Sequence, residues 1–136
     1  MNGWWAFVCD VPRGSSPAAW AVGWLPRGRR HVWLARQLPV ESGPEVWLVL
    51  DPSAHCLRLD VAISENGYVD ERVAAGATAV HLGDRADPAR AYLRGWMTCV
   101  AVAKYAAGVR WPMVWTPGGL IRRAKREGME VRCTSR

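Results

Sequence analysis

Short apolar runs bounded by turn-forming residues alternate with polar stretches through the first two thirds of the chain. Trp4 to Cys9, His31 to Leu38 and Glu45 to Leu50 are rich in aromatic and branched residues, which predicts three strands. Cys56 to Ile63 alternates apolar and polar positions in its first part, as a half-buried strand does. Weaker strand candidates are Val69 to Val73 and Thr78 to Leu82. Together these runs predict an antiparallel meander.

The pattern then changes to helical spacing. The predicted helical segments run from Pro88 to Leu93, from Thr98 to Ala107 and from Thr116 to Gly128, and the tail from Glu130 to Cys133 is expected to add an edge strand. Thr98 is a natural N-cap, and Pro117 occupies the first position of the last helix, where its missing N–H costs nothing. A chain of 136 residues suits one hydrophobic core. We therefore expect a single α+β domain covering residues 1–136.

The net charge of +6 comes mostly from two basic clusters. They comprise Arg27, Arg29 and Arg30 in one segment, and Arg122, Arg123, Lys125 and Arg126 in another. A solvated loop and a solvated helix face explain both clusters without a ligand, and aromatic residues do not interleave with the arginines as a base-stacking surface requires. We do not expect a nucleic-acid partner.

The four cysteines, Cys9, Cys56, Cys99 and Cys133, are scattered and form no Cys-x-x-Cys pair. This spacing indicates neither a zinc site nor a disulfide framework, so no metal and no cofactor is expected. The apolar run from Trp4 to Cys9 is too short for a signal-peptide core or a membrane span. The expected location is therefore the cytoplasm, with no membrane partner. His55 and His81 are interpreted as structural, since the adjacent His55 and Cys56 point to opposite faces of a strand.

The chain contains nine tryptophans, a large number for 136 residues. Because tryptophan buries much area while keeping one N–H near a polar partner, we expect most of them in the core or at its rim. An exposed tryptophan cluster that binds a partner remains the alternative.

Cys99 directly follows the predicted cap Thr98, at the start of a helix of small apolar residues. Unpaired N–H groups and the positive end of the helix dipole stabilise a thiolate at that position, which makes Cys99 a candidate nucleophile. The competing interpretation is a small buried hydrophobe in a core helix.

His31 starts a strand and is the candidate base. If the hairpin turns near Glu41, antiparallel pairing places His31 opposite Asp51 and Trp33 opposite Val49. Asp51 would then orient the imidazole as the acid member of a Cys-His-Asp arrangement. A solvated histidine and an ordinary Asp-Pro-Ser turn are the alternatives for these two residues.

The order of these features resembles a known family. A histidine-led strand, a turn and Asp51-Pro52 precede the cysteine-headed helix Thr98-Cys99-Val100-Ala101-Val102-Ala103-Lys104, and Trp115-Thr116-Pro117 follows downstream. This order is similar to that of circularly permuted papain-fold hydrolases related to NlpC-type peptidases, and most similar to small phage or bacterial members. In permuted members the histidine precedes the cysteine, as in this chain. The resemblance covers about residues 31–127.

The resemblance implies an antiparallel sheet packed against a central cysteine-bearing helix in a permuted papain-like architecture. It also implies a cysteine peptidase or amidase in which Cys99 attacks, His31 serves as base and then acid, and Asp51 orients the imidazole. The implied substrate is a peptide, peptidoglycan or protein amide, or an ester. Because the family includes inactive members, a phage structural or accessory protein that binds a phage or bacterial protein, and is associated with the virion, is the alternative.

Overall fold

The computed structural model describes residues 3–10, 25–52, 57–83 and 98–134. Its strands are β1 (Trp4–Cys9), β2 (His31–Leu38), β3 (Glu45–Pro52), β4 (Leu57–Ser64), β5 (Thr78–Gly83) and β6 (Val131–Arg132). Its helices are α1 (Tyr68–Ala74), α2 (Cys99–Ala106) and α3 (Pro117–Arg126). The predicted helix from Pro88 to Leu93 and residues His55 and Cys56 lie outside the described residues. In the described part the fold is α+β, as the sequence predicts.

The strands form one six-stranded antiparallel sheet in the order β4-β3-β2-β1-β5-β6. The first four strands follow the predicted meander, but β5 pairs with β1 instead of β4. The reason is α1, which carries the chain back across the sheet. The prediction of a strand from Val69 to Val73 is wrong, because that segment lies in α1, which buries Tyr68 and Val69. Two apolar residues four positions apart, such as Val69 and Val73, are compatible with the spacing of a helix as well as with that of a strand.

Side-chain alternation along the strands gives the sheet two covered faces. On one face, residues such as Val8, Val32 and Leu34 pack with the buried residues of α2 and α3. On the other face, Phe7 and Trp47 pack with Tyr68 of α1. The structure is therefore three-layered, with α1 on one side of the sheet and α2 and α3 on the other.

The tryptophans are distributed largely as expected. Trp5, Trp47 and Trp111 are buried, whereas Trp115 is exposed. Glu45 links β3 to the start of α1. Its carboxylate accepts hydrogen bonds from the Trp47 indole and from the backbone N–H of Tyr68, both at 3.0 Å. That second bond satisfies a donor at the start of α1, where Gly67 supplies no side-chain cap.

The predicted N-cap Thr98 is confirmed, and Thr116 caps α3 in the same way. The Thr98 hydroxyl accepts a hydrogen bond from the Ala101 N–H, and the Thr116 hydroxyl accepts one from the Gly119 N–H, each at 3.1 Å. These caps fix where α2 and α3 begin, and so fix Cys99 as the first residue of α2. No helix among the described residues is long and apolar enough to cross a membrane.

The register of the β2–β3 hairpin differs from the prediction. Leu34 pairs with Leu50 and Ala35 with Val49, so paired residue numbers sum to 84 and not to the predicted 82. The turn is centred one residue later than Glu41. Trp33 is therefore not opposite Val49, and His31 is not directly opposite Asp51. A shift of two residues keeps every side chain on its predicted face.

Candidate active site

Three strands place residues at the same end of the sheet. β1 ends at Cys9, β2 begins at His31 and β3 ends at Asp51 and Pro52. Because neighbouring strands run antiparallel, these positions are brought together, and Cys9 is the direct pairing partner of His31. This end of the sheet is where the three predicted site residues meet.

His31 and Asp51 are hydrogen-bonded, with His31 Nε2 2.6 Å from Asp51 Oδ1. The two residues are diagonal neighbours on adjacent strands, and the length of the imidazole spans the offset. The side chain of His31 is 17% exposed and that of Asp51 is 38% exposed. Asp51 therefore lies in β3, bonded to the histidine, and its role is not limited to the turn that follows.

Cys99 completes the cluster from the helix layer. It is half-buried, and it lies close enough to the His31 ring to raise the pKa of that histidine. Because Nε2 of His31 is bonded to Asp51, Nδ1 is the ring nitrogen left to exchange a proton with Cys99 Sγ. Cys99 is partly exposed and also packs against the core that α2 shares with the sheet.

The surroundings of His31 favour its protonated form. Burial of the ring lowers its pKa, but hydrogen bonds with Asp51 and Cys99 and the negative charges of these groups outweigh burial and raise the pKa of His31 to about 9. The hydrogen bond from His31 lowers the pKa of the Asp51 carboxyl against the effect of burial, and the charges of His31 and Arg58 lower it further. At neutral pH the pair is thus an imidazolium beside a carboxylate.

The helix α2 supplies no acceptor for some N–H groups of its first turn. Ala101 N–H is bonded to the Thr98 hydroxyl, and Val102 N–H is bonded to the Thr98 carbonyl oxygen. The N–H groups of Cys99 and Val100 precede the first intrahelical bond, so they have no acceptor within the helix. Of these donors, the Cys99 N–H is the candidate for binding an oxyanion that forms beside Sγ.

Two residues that the sequence did not identify lie beside the cluster. Burial, together with the negative charges of Asp51, Asp10 and Cys99, raises the pKa of the Cys9 thiol to about 11, against the opposing effect of Trp33. Arg58 pairs with Asp51 across the β3–β4 ladder. Cys9 and Arg58 become neighbours of the site through strand pairing. No local motif in the sequence therefore indicates them.

The described residues contain no group of three or more potential metal ligands. Two surface cavities lie elsewhere: one of about 170 Å³ is lined by Trp47, Tyr68 and their neighbours, and one of about 380 Å³ lies along Arg122, Arg123 and Arg126 of α3. Neither is lined by Cys99, His31 or Asp51. The His81 ring contacts Trp5 with ring centroids 4.8 Å apart and ring planes tilted by 36°, and burial lowers its pKa, which fits a structural, neutral side chain.

Comparison of the chain with protein-family models, with curated proteins and with solved structures finds no match.

Proposed function

We propose that this protein is a thiol hydrolase that uses Cys99 as nucleophile, His31 as acid and base, and Asp51 as the residue that orients His31. The observation that carries the proposal is the 2.6 Å bond between His31 Nε2 and Asp51 Oδ1, with Cys99 close enough to the same ring to raise the pKa of His31. Residues from β2, β3 and α2 thus meet at one site. Nucleophile, base and orienting carboxylate in that order are the parts that acyl transfer needs.

The reaction starts from the form of the site in which the Cys99 proton already resides on Nδ1 of His31, in agreement with the raised pKa of that histidine. The thiolate, stabilised by the imidazolium and by the start of α2, attacks the carbonyl carbon of an amide or ester. The oxyanion accepts a hydrogen bond from the Cys99 N–H. His31 then donates its proton to the leaving amine or alcohol, which leaves a thioester on Cys99.

Water completes the cycle. His31, now neutral, accepts a proton as water attacks the thioester carbonyl, and it returns that proton to Cys99 as the carboxylic acid leaves. Asp51 stays ionised throughout and holds Nε2–H, which keeps Nδ1 directed at the sulfur. No oxidant, metal or cofactor enters this sequence of steps.

The order of the site residues along the chain supports a permuted papain-like member of the NlpC-related hydrolases, since His31 and Asp51 precede Cys99. The three-layered arrangement is compatible with it, because a helix that begins with the cysteine packs on an antiparallel sheet that carries the histidine. The substrate class that follows is a peptide or peptidoglycan amide, and this part of the proposal rests on the resemblance.

The test is a hydrolysis assay with p-nitrophenyl acetate and a panel of peptidoglycan fragments, combined with intact-mass analysis of the protein. We expect an acyl adduct that peptide mapping places on Cys99, and its loss in Cys99→Ala. Cys133→Ala removes an exposed thiol away from the site and serves as the matched control. Hydrolysis that survives Cys99→Ala, or acylation that maps to another residue, rejects the proposal and favours a non-catalytic binding protein.

A further inference from the structure

One half of the sheet carries an uncharged apolar surface that the described helices leave exposed. On β4, the side chains of Leu57, Leu59, Val61 and Ile63 are 43%, 64%, 57% and 68% exposed. They alternate along the strand and therefore share one face, which we call the β4 strip. Four exposed branched side chains in a row are unusual for the surface of a monomer.

The β4 strip continues onto β3. Its residues pair across the ladder with Pro52, Leu50, Leu48 and Val46 in turn, so two strands together present only apolar side chains on this face. Leu50 packs against the core shared with α2 and α3, which places the strip on the side of those helices. α2 packs over β2 and the near side of β3, and α3 packs over β5 and β6. β4 lies beyond them at the edge of the sheet.

The polar and charged residues of β4 lie on its opposite face. Arg58 and Asp60 point to that other face, and further along the same face Ser64 is buried and hydrogen-bonded to Glu71 of α1. All charged side chains of β4 are thus kept off the strip. Apolar residues collected on one face of a strand are typical of a face that packs against another surface and not of a solvated one. The described residues leave this face of β4 uncovered.

We propose that the β4 strip is the interface of a homodimer, in which the β3–β4 halves of two sheets pack face to face about a two-fold axis. A two-fold interface requires a surface that fits its own copy. On a chain of charge +6, most surfaces would bring like charges together, whereas the strip carries no charge to oppose itself. Two packed sheets lie about 10 Å apart, close to the diameter of a helix, so the partner's sheet fits beside α2.

The area of the strip bears on the stability of this association. The four residues of the strip expose about 400 Å² on each protomer, so that two strips facing each other bury about 800 Å². Such an area is in the range of weak and transient complexes, and since area alone does not set affinity, we expect a reversible dimer. The dimer does not depend on the proposed hydrolase activity.

Sedimentation velocity on the full chain between about 1 and about 200 μM tests the proposal. We expect the mass to rise from monomer to dimer, and Leu59→Glu and Ile63→Lys each to weaken association by at least about a hundredfold, because every substitution places two charges in one interface. Met113→Glu changes a side chain that is 85% exposed elsewhere and is the matched control. A wild-type chain that stays monomeric, or a dimer that both strip variants retain, overturns the proposal and assigns the strip to another occupant.

Discussion

His31 and Asp51 are bonded at 2.6 Å even though the register of their strands does not place them opposite each other. The bond runs diagonally across the β2–β3 ladder, at the end of the sheet where α2 begins. Because the imidazole is held at Nε2, its second nitrogen, Nδ1, is the one left to interact with Cys99. Most predictions below follow from that contact and from the helix start that carries the cysteine.

Cys99 is expected to react with iodoacetamide faster than the other described cysteines below neutral pH. The His31 ring and the start of α2 place positive charge and backbone donors beside the Cys99 sulfur. Burial holds Cys9 as a thiol, and Cys133 is exposed without a described ion-pair partner. Peptide mass spectrometry at about pH 6 should show labelling of Cys99 at least about tenfold faster than labelling of Cys133.

His31→Ala provides the control for that measurement. It removes the imidazolium and should reduce the labelling rate of Cys99 to that of Cys133. Equal rates in the wild-type protein, or a Cys99 rate that does not respond to His31→Ala, would contradict an activated pair.

Asp51→Asn is expected to lower the pKa of His31 below about 9. The substitution keeps the shape of the side chain but removes the negative charge and the strong acceptor that raise this pKa. NMR titration of the His31 ring should show the shift directly, with a stability loss of about 1 kcal/mol. An unchanged titration would mean that Cys99 alone sets the protonation of His31.

The free energy of unfolding should fall on the alkaline side. The pKa of His31 is raised from 6.5 to about 9, so its stabilising contribution is complete below 6.5 and is lost as pH rises through about 9. Cys9 adds to this loss, because above pH 9.0 the unfolded chain releases a proton that the folded chain holds until about 11. Asp51 acts in the opposite range, since its lowered pKa stabilises above 3.8 and that contribution is lost as pH falls.

Urea unfolding at about pH 6 and about pH 10 measures the alkaline loss, which we expect to be of the order of 2 kcal/mol. His31→Gln should make the pH profile flatter between neutral pH and 9, whereas Cys9→Ala should affect only the more alkaline part. A profile that His31→Gln leaves unchanged would show that the His31 titration does not contribute to folding.

Thr98→Ala should reduce both stability and the reactivity of Cys99. It removes the side-chain bond to the Ala101 N–H, which costs about 1 kcal/mol and frays the turn that carries the thiol. Thr116→Ala removes the equivalent bond at the start of α3 and should cost a similar amount.

The comparison between these two caps separates a local effect from a global one. Labelling of Cys99 should slow in Thr98→Ala and stay at the wild-type rate in Thr116→Ala, at equal loss of melting temperature. If both variants slow labelling equally, general destabilisation explains the effect and the cap has no specific role at the site.

Local patterns in the sequence determined most of the elements. β1 and β2 have the predicted bounds, and α2 and α3 start where Thr98 and Thr116 cap them, because strand composition and N-cap chemistry act over a few neighbouring residues. Cys99 and His31 were identified from the same local signals, whereas Asp51 was identified from an assumed pairing register that differs by two residues from the observed one. The prediction of a strand from Val69 to Val73 was wrong, because two apolar residues four positions apart fit the period of a helix as well as that of a strand.

Tertiary structure decided what the local patterns leave open. The β2–β3 register is set by the turn geometry, which moved the pairing by two residues without changing the faces. The placement of β5 beside β1 was decided by the path of α1 across the sheet. The neighbours Cys9 and Arg58, and the exposure of the β4 strip, follow from strand pairing between residues distant in sequence, and no local periodicity encodes which strand lies at the edge.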